Sequence, residues 1–360
     1  MGDKMPTVRA AAVHAASVFL DREGSVEKAC SWIGETARQG ARLVAFPETF
    51  IPGYPFWIWT HTPTEGAPLF VELYENSVVV PGPATDRLGE AARKAGVHAV
   101  VGVCERDGGT LYNTQLYFDD QGRLFGRHRK LQPTHAERTI WGRGDGSELR
   151  TWATPFGRIS GLICWEHTMD LVRYALTAMG EQIHVAAWPA ISALTHNPHS
   201  GLFDSVTEAA AKHHALAGQT FVINVQSRLD EDAIDRMGLT GRTELARPGG
   251  GWSAIVGPDG QIMSGPNTDG EMALYADLDL GDITLVKYAC DSAGHYARPD
   301  VARLLLNTSR QDVLEFTDGR QSFTPRPGDP AEREPAAAGR EPDGTEPRGG
   351  EPATAEREAR

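Results

Sequence analysis

The sequence predicts an α/β fold built from two similar halves. Short apolar strands alternate with helical stretches, and the order helix, strand, helix, strand, hairpin occurs twice. "EQIHVAAWP" repeats "ARLVAFPE" in length, apolarity and its closing aromatic–proline pair. Two such halves bury sheet faces against each other.

Each element has a local reason. Residues 7–14 alternate as a strand, and "SVEKACSWIGETARQG" reads as a helix that Ser25 caps and Gly40 ends. "ARLVAFPE" is a strand halted by Pro47. A helix over 86–95 closes at Gly96, and the valine-rich "VHAVVGVCER" is the next strand. "TLYNTQLYF" and "RLFGRHRK" flank the turn "DDQG" as a hairpin. "GRISGLIC" is a strand and "LVRYALTAMG" the helix after it. The second half continues with "EQIHVAAWP", the helix "LFDSVTEAAAKHHALAGQ", the strand "TFVINVQSR" and the hairpin "GWSAIVGPDGQIMSG". Residues 54–81 and 228–250 break the repeat and read as loop insertions. From residue 322 the chain is Pro, Gly, Ala, Glu and Arg with almost no large apolar residue. It cannot offset its ordering entropy, so the expected division is a folded domain over 1–321 and a disordered tail over 322–360.

Composition removes several function classes. The formal charge of −13 argues against a nucleic-acid footprint and gives no special affinity for anionic lipid. No apolar run approaches the roughly 20 residues of a membrane helix. The first residues read as a strand rather than a signal peptide. Cysteines stand at 30, 104, 164 and 290 with no C-x-x-C, so a zinc site of the usual spacing is not expected and a reducing cytoplasm fits best.

Three strand ends carry candidate chemistry. Glu48 follows a buried strand and a proline, where desolvation raises a carboxylic acid's pKa and suits it to base work. A cap or a structural ion pair is the alternative there. Lys130 ends a hairpin strand and can face a developing anion, with Glu137 seven residues on. Arg127, His128 and Arg129 leave open a solvated cationic face instead. Cys164, in "GLICWEHTMD", stands where a strand gives way to a helix, the setting of a nucleophile elbow. The helix start there favours a thiolate, and a core thiol is the alternative.

The order Glu48 in "FPETF", Lys130 in "RKLQPT" and Cys164 in "CWEH" resembles the Glu–Lys–Cys triad of the nitrilase superfamily of carbon–nitrogen hydrolases. Its additional glutamate corresponds to Glu137 in "THAERTIWGRGDG". The resemblance runs from about residue 7 to about 315 and takes in "PGYPFWIW", "ERDGGTLYNTQ" and "GHYARPDV". The motif set is most similar to the nitrilase branch. This implies a four-layer α-β-β-α sandwich and a homo-oligomer, in many members a spiral or filament. It implies hydrolysis of an organic nitrile, aliphatic or arylaliphatic, through a cysteine thioimidate, with no metal or organic cofactor. Tyr54, Trp165, Trp188 and His167 are the expected substrate-pocket residues, with Trp57 a weaker candidate. An amidase or a cyanide-degrading enzyme of the same superfamily remains the alternative. A metal site from Cys164, Glu166 and His167 is not expected, because consecutive side chains diverge. A silent binding protein on the same fold is disfavoured by the presence of all four polar residues.

Overall fold

The computed structural model describes residues 4–196, 200–268 and 270–312. The tail expected from 322 lies outside the described residues. The strands are β1 Thr7–His14, β2 Leu43–Ala45, β3 Val78–Val79, β4 His98–Asp107, β5 Thr110–Phe118, β6 Leu124–Arg129, β7 Trp152–Thr154, β8 Gly157–Ile163, β9 Ile183–Trp188, β10 Phe221–Gln226, β11 Ser253–Val256, β12 Ile262–Asn267 and β13 Met272–Asp279. The helices are α1 Arg22–Arg38, α2 Pro63–Asn76, α3 Pro83–Ala95, α4 Asp170–Ala178, α5 Ser200–Gly218, α6 Glu231–Arg236 and α7 Gly281–Ala289.

The repeat is visible in the strand pairing. β1, β2 and β4 run parallel, and β5 and β6 follow antiparallel. In the second half β8, β9 and β10 run parallel, and β11 and β12 follow antiparallel. The first sheet has the order β13-β1-β2-β4-β5-β6 with β3 on β4; the second runs β12-β11-β10-β9-β8-β7.

Period-two alternation sorts side chains between layers. Val8, Ala10 and Ala12 of β1 pack with Ile183, Val185, Ile223 and Val225 of the other sheet, which makes the sheet-on-sheet core. The intervening Ala11 and Val13 pack instead with Val26, Ala29 and Ile33 of α1 and Leu88 and Ala92 of α3. On the far side Phe203, Ala211 and Ala215 of α5 cover Ala186, Trp188 and Val222. Ala175 and Leu176 of α4 cover Leu162. The result is the α-β-β-α sandwich.

Three expectations are corrected. α1 begins before Ser25, because Asp21 caps it by accepting from the Gly24 N–H at 2.9 Å. The 54–81 insertion contains α2, started by Pro63 at the first helical turn and by a capping box between Thr62 and Glu65. The 228–250 insertion holds the short helix α6, capped by Asp230.

Candidate active site

Glu48 lies just past β2, where residues 47–49 cross over β4. The crossing needs Gly102: a Cβ there would lie 2.1 Å from the Pro47 carbonyl oxygen and 2.7 Å from the Thr49 nitrogen. Thr49 itself takes a left-handed φ of 44°. The Glu48 side chain is buried. Its Oε1 accepts from Asn113 Nδ2 at 2.5 Å and Lys130 Nζ at 2.9 Å, while Oε2 has no hydrogen-bond partner. Burial raises its pKa to about 7, with Glu137 reinforcing the rise and Lys130 opposing it.

Lys130 follows β6 and is held by its backbone N–H, which donates to the Asn113 carbonyl at 2.8 Å. Its Nζ bridges Glu48 Oε1 and Glu137 Oε2, the latter at 2.7 Å. Burial works against its charge, but the two carboxylates outweigh it and raise its pKa. The neighbouring cations are not a solvated face. Arg127 and Arg129 are buried on Glu105, and His128 is buried on Glu166.

Glu137 lies in the 3-10 turn His135–Thr139. Besides Lys130 it accepts from the Thr134 N–H at 2.8 Å and the Tyr54 hydroxyl at 2.9 Å. Trp59 Nε1 donates to the Tyr54 oxygen at 3.1 Å. Burial raises the Tyr54 pKa well above that of an ordinary phenol, and the carboxylates add to the effect.

Cys164 follows β8 directly and has a φ of 54°, a costly conformation for a residue with a Cβ. The backbone N–H of Trp165 lies close enough to its sulfur to favour the ionised form. Burial raises the thiol pKa well above the usual value despite Lys130, and Glu48 and Glu137 add to the rise. This corrects the expected thiolate. The helix start there is only the short 3-10 segment Cys164–Thr168, and desolvation outweighs the Lys130 charge. The resting arrangement is therefore a protonated thiol with a buried acid that ionises near neutrality, which is a base waiting for a proton.

Glu166 fixes the spacing of two strand ends. Its carboxylate accepts from the Leu131 N–H and the Ile163 N–H, both at 2.7 Å, and from His128 Nε2 at 3.0 Å. It thereby ties the backbone after Lys130 to the backbone before Cys164. Burial opposes both charges, yet the pair wins: His128 is raised and Glu166 lowered in pKa.

A cavity of about 470 Å³ opens onto Cys164 and Glu137. Tyr54 and Trp165 line it as expected. Trp59, His135, His196, Phe203 and Ile191 also line it and were not singled out in the sequence. Trp188 and His167 are corrected: neither is among the residues lining it. Trp188 is buried, and His167 stacks on it with centroids 4.9 Å apart. Trp57 is buried against Phe19 and borders a separate cavity of about 320 Å³. Asn113 was also missed; an asparagine, poorly suited to a strand, in the otherwise strand-like "TLYNTQLYF" was the signal available. Glu166 and His167 face His128 and His184 respectively, so they do not converge with Cys164 on one point.

The sequence profile of the carbon–nitrogen hydrolase family matches residues 9–288. An aliphatic nitrilase from Rhodococcus rhodochrous is 45% identical over 305 residues, which cover 84% of this chain and 83% of that protein. A nitrilase from Pseudomonas syringae pv. syringae (strain B728a) is 42% identical over 302 residues, covering 83% of this chain and 90% of that one. The solved structure of a carbon–nitrogen hydrolase from Helicobacter pylori G27 superposes with a TM-score of 0.65 at 19% identity. It covers 82% of this chain and 96% of that chain, a likeness of fold.

Proposed function

The chain belongs to the carbon–nitrogen hydrolase family, and from that premise we propose that it is a nitrilase, hydrolysing organic nitriles to a carboxylic acid and ammonia through Cys164. The observation that carries the reading is the unpartnered Oε2 of Glu48, on a buried acid whose pKa is about 7, beside a buried protonated thiol.

Glu48 takes the Cys164 proton. The sulfur bonds to the nitrile carbon, and one C–N π pair moves onto nitrogen, which collects the proton from Glu48 to give a thioimidate. Lys130 and the Trp165 N–H steady the negative charge that develops on nitrogen. Glu48 then deprotonates a water that adds to the thioimidate carbon. The remaining C–N π pair moves onto nitrogen, which takes the water's proton back from Glu48; the hydroxyl proton then follows to nitrogen as the C–N bond breaks, so ammonia leaves and a thioester remains. A second water, activated in the same way, cleaves the C–S bond and returns the thiol. Two waters are consumed for each acid and ammonia formed. Glu137 fixes Lys130, and Tyr54 and Thr134 fix Glu137.

The cavity favours organic nitriles over cyanide. Its volume is that of a small-molecule pocket, and most of the lining side chains are aromatic or aliphatic. A nitrile panel, with matching amides and cyanide assayed for acid, amide and ammonia, tests the proposal. Aliphatic or arylaliphatic nitriles turning over faster than both alternatives support it; amide or cyanide turnover without nitrile turnover overturns it. Self-association belongs to the same reading. α4 and α5 leave Leu171, Leu202 and Leu216 exposed, and light scattering showing only monomers would contradict that part.

A further inference from the structure

Behind the Cys164 turn lies a buried row of polar groups that the reaction above does not use. His167 Nδ1 lies 2.7 Å from the Cys164 carbonyl oxygen, and His167 Nε2 lies 2.9 Å from His184 Nε2. His184 Nδ1 lies 2.6 Å from Glu181 Oε1, and His214 Nε2 lies 2.7 Å from Glu181 Oε2. The Ser160 hydroxyl also donates to Glu181. His167, Glu181, His184 and His214 are all buried.

Hydrogen-bond accounting fixes the protons. The carbonyl of Cys164 only accepts, so His167 Nδ1 carries a hydrogen. Burial and the adjacent His184 push the His167 pKa well below its usual value, so that ring is neutral and its Nε2 accepts from His184. Burial opposes the charge of Glu181, but His184 and His214 lower its pKa and keep it a carboxylate. His184 bridges the two, its Nε2 on His167 and its Nδ1 on Glu181. Burial lowers His214 to about 4, so it is neutral, donates through Nε2 and leaves Nδ1 unpartnered.

We propose that His167, backed by His184, Glu181 and His214, is a positioning residue that holds the Cys164 carbonyl and so maintains the strained turn presenting the thiol. The inference rests on Cys164 being the nucleophile. The row runs from the Cys164 turn through β9 to α5, so two packed elements support one carbonyl. His167 also stacks flat on Trp188, which fixes the plane in which Nδ1 points. Ligand atoms of Glu181, His184 and His214 lie within 4.8 Å of one another, a spacing that a metal ion could use. The row described here instead satisfies them with one another.

The test compares two substitutions in the full chain. Asn places its amide nitrogen where His167 Nδ1 stands; Gln places it nearer Nε2. Alkylation of Cys164 by iodoacetamide, read from its peptide mass, and kcat and KM for a nitrile are measured in folded proteins. His167→Asn is expected to stay within about threefold of the parent, and His167→Gln to lose about tenfold in alkylation and kcat with little change in KM. Gln at the parental rate, or both variants depressed equally, overturns the proposal. Imidazole nitrogen NMR of the unsubstituted protein adds a check independent of folding: a His167 Nδ1 that carries no hydrogen overturns the hold on the Cys164 carbonyl. Stoichiometric zinc that survives dialysis and disappears in Glu181→Gln overturns the row in favour of a metal site. A Cys164 that never alkylates, while Cys30 and Cys290 do, overturns the nucleophile reading itself.

Discussion

Replacing Glu137 by Gln changes one charge and almost no volume, and its consequence can be worked from the geometry. The Gln oxygen can take over the bonds from Lys130 and the Thr134 N–H. Its amide then faces the Tyr54 oxygen, which can accept once the phenol hydrogen turns away. What disappears is the negative charge facing Glu48 across Lys130. The two carboxylate oxygens lie 2.9 and 2.7 Å from the same nitrogen, so they are at most about 5.6 Å apart. With an effective dielectric of about 20 the repulsion is about 3 kcal/mol, or about two pKa units, and water in the cavity reduces this to one or two. The ionised form of Glu48 is the base, so kcat/KM rises with pH through its pKa, near 7 in the parent. Removing a like charge favours that ionised form. The acidic limb of the pH profile therefore moves down by about one to two units. The assay is kcat/KM for a nitrile from pH 4 to 9, with Cys164 alkylation over the same range. An acidic limb that stays put or moves up refutes the coupling of Glu137 to Glu48.

Lys130→Met leaves two buried carboxylates without their cation and costs about 3–5 kcal/mol of stability along with the activity. Carboxylates whose folded pKa is raised destabilise most at high pH, so denaturant melts should show a larger loss at pH 8 than at pH 5; an equal loss at both counts against it. Glu166→Gln turns an amide N–H₂ toward a backbone N–H donor, and about 2–3 kcal/mol should be lost in the same melts, with kcat falling. Gly102→Ala drives a Cβ into the backbone at residues 47–49 and should cost about 1–3 kcal/mol while displacing Glu48. A variant with parental kcat and stability would show that the crossing can relax.

Much of this was legible because the fold writes itself locally. The two halves show in the sequence because each strand is apolar and each crossover helix has its own punctuation. Glu48, Lys130 and Cys164 stand out because each follows an apolar strand, where a polar residue needs a reason. Other features depend on partners far along the chain. β13 joins the first sheet beside β1, a pairing of residues 272–279 with 7–14 that no local pattern announces. α2 was hidden by Gly66 and Pro68, both poor helix formers, although its start signals were present. The run "RHRK" reads as solvent-facing until Glu105 of β4 and Glu166 of the turn after β8 are seen to pair with it in the interior. His167 and Trp188 look like pocket residues by proximity to Cys164 and a strand end, yet they face the interior. Trp59, His135 and His196 line one cavity because the insertion around 54–81, the turn His135–Thr139 and the loop after β9 meet there.

The central claim is a covalent bond between Cys164 and the nitrile carbon. Acid-quenching the enzyme during turnover of an aliphatic nitrile, followed by mass measurement of the Cys164 peptide, tests it most directly. The account predicts a thioimidate or thioester adduct on that peptide alone, absent in Cys164→Ala, which keeps its fold and loses activity. Steady release of ammonia with an unmodified Cys164 peptide, and turnover by Cys164→Ala, would contradict it.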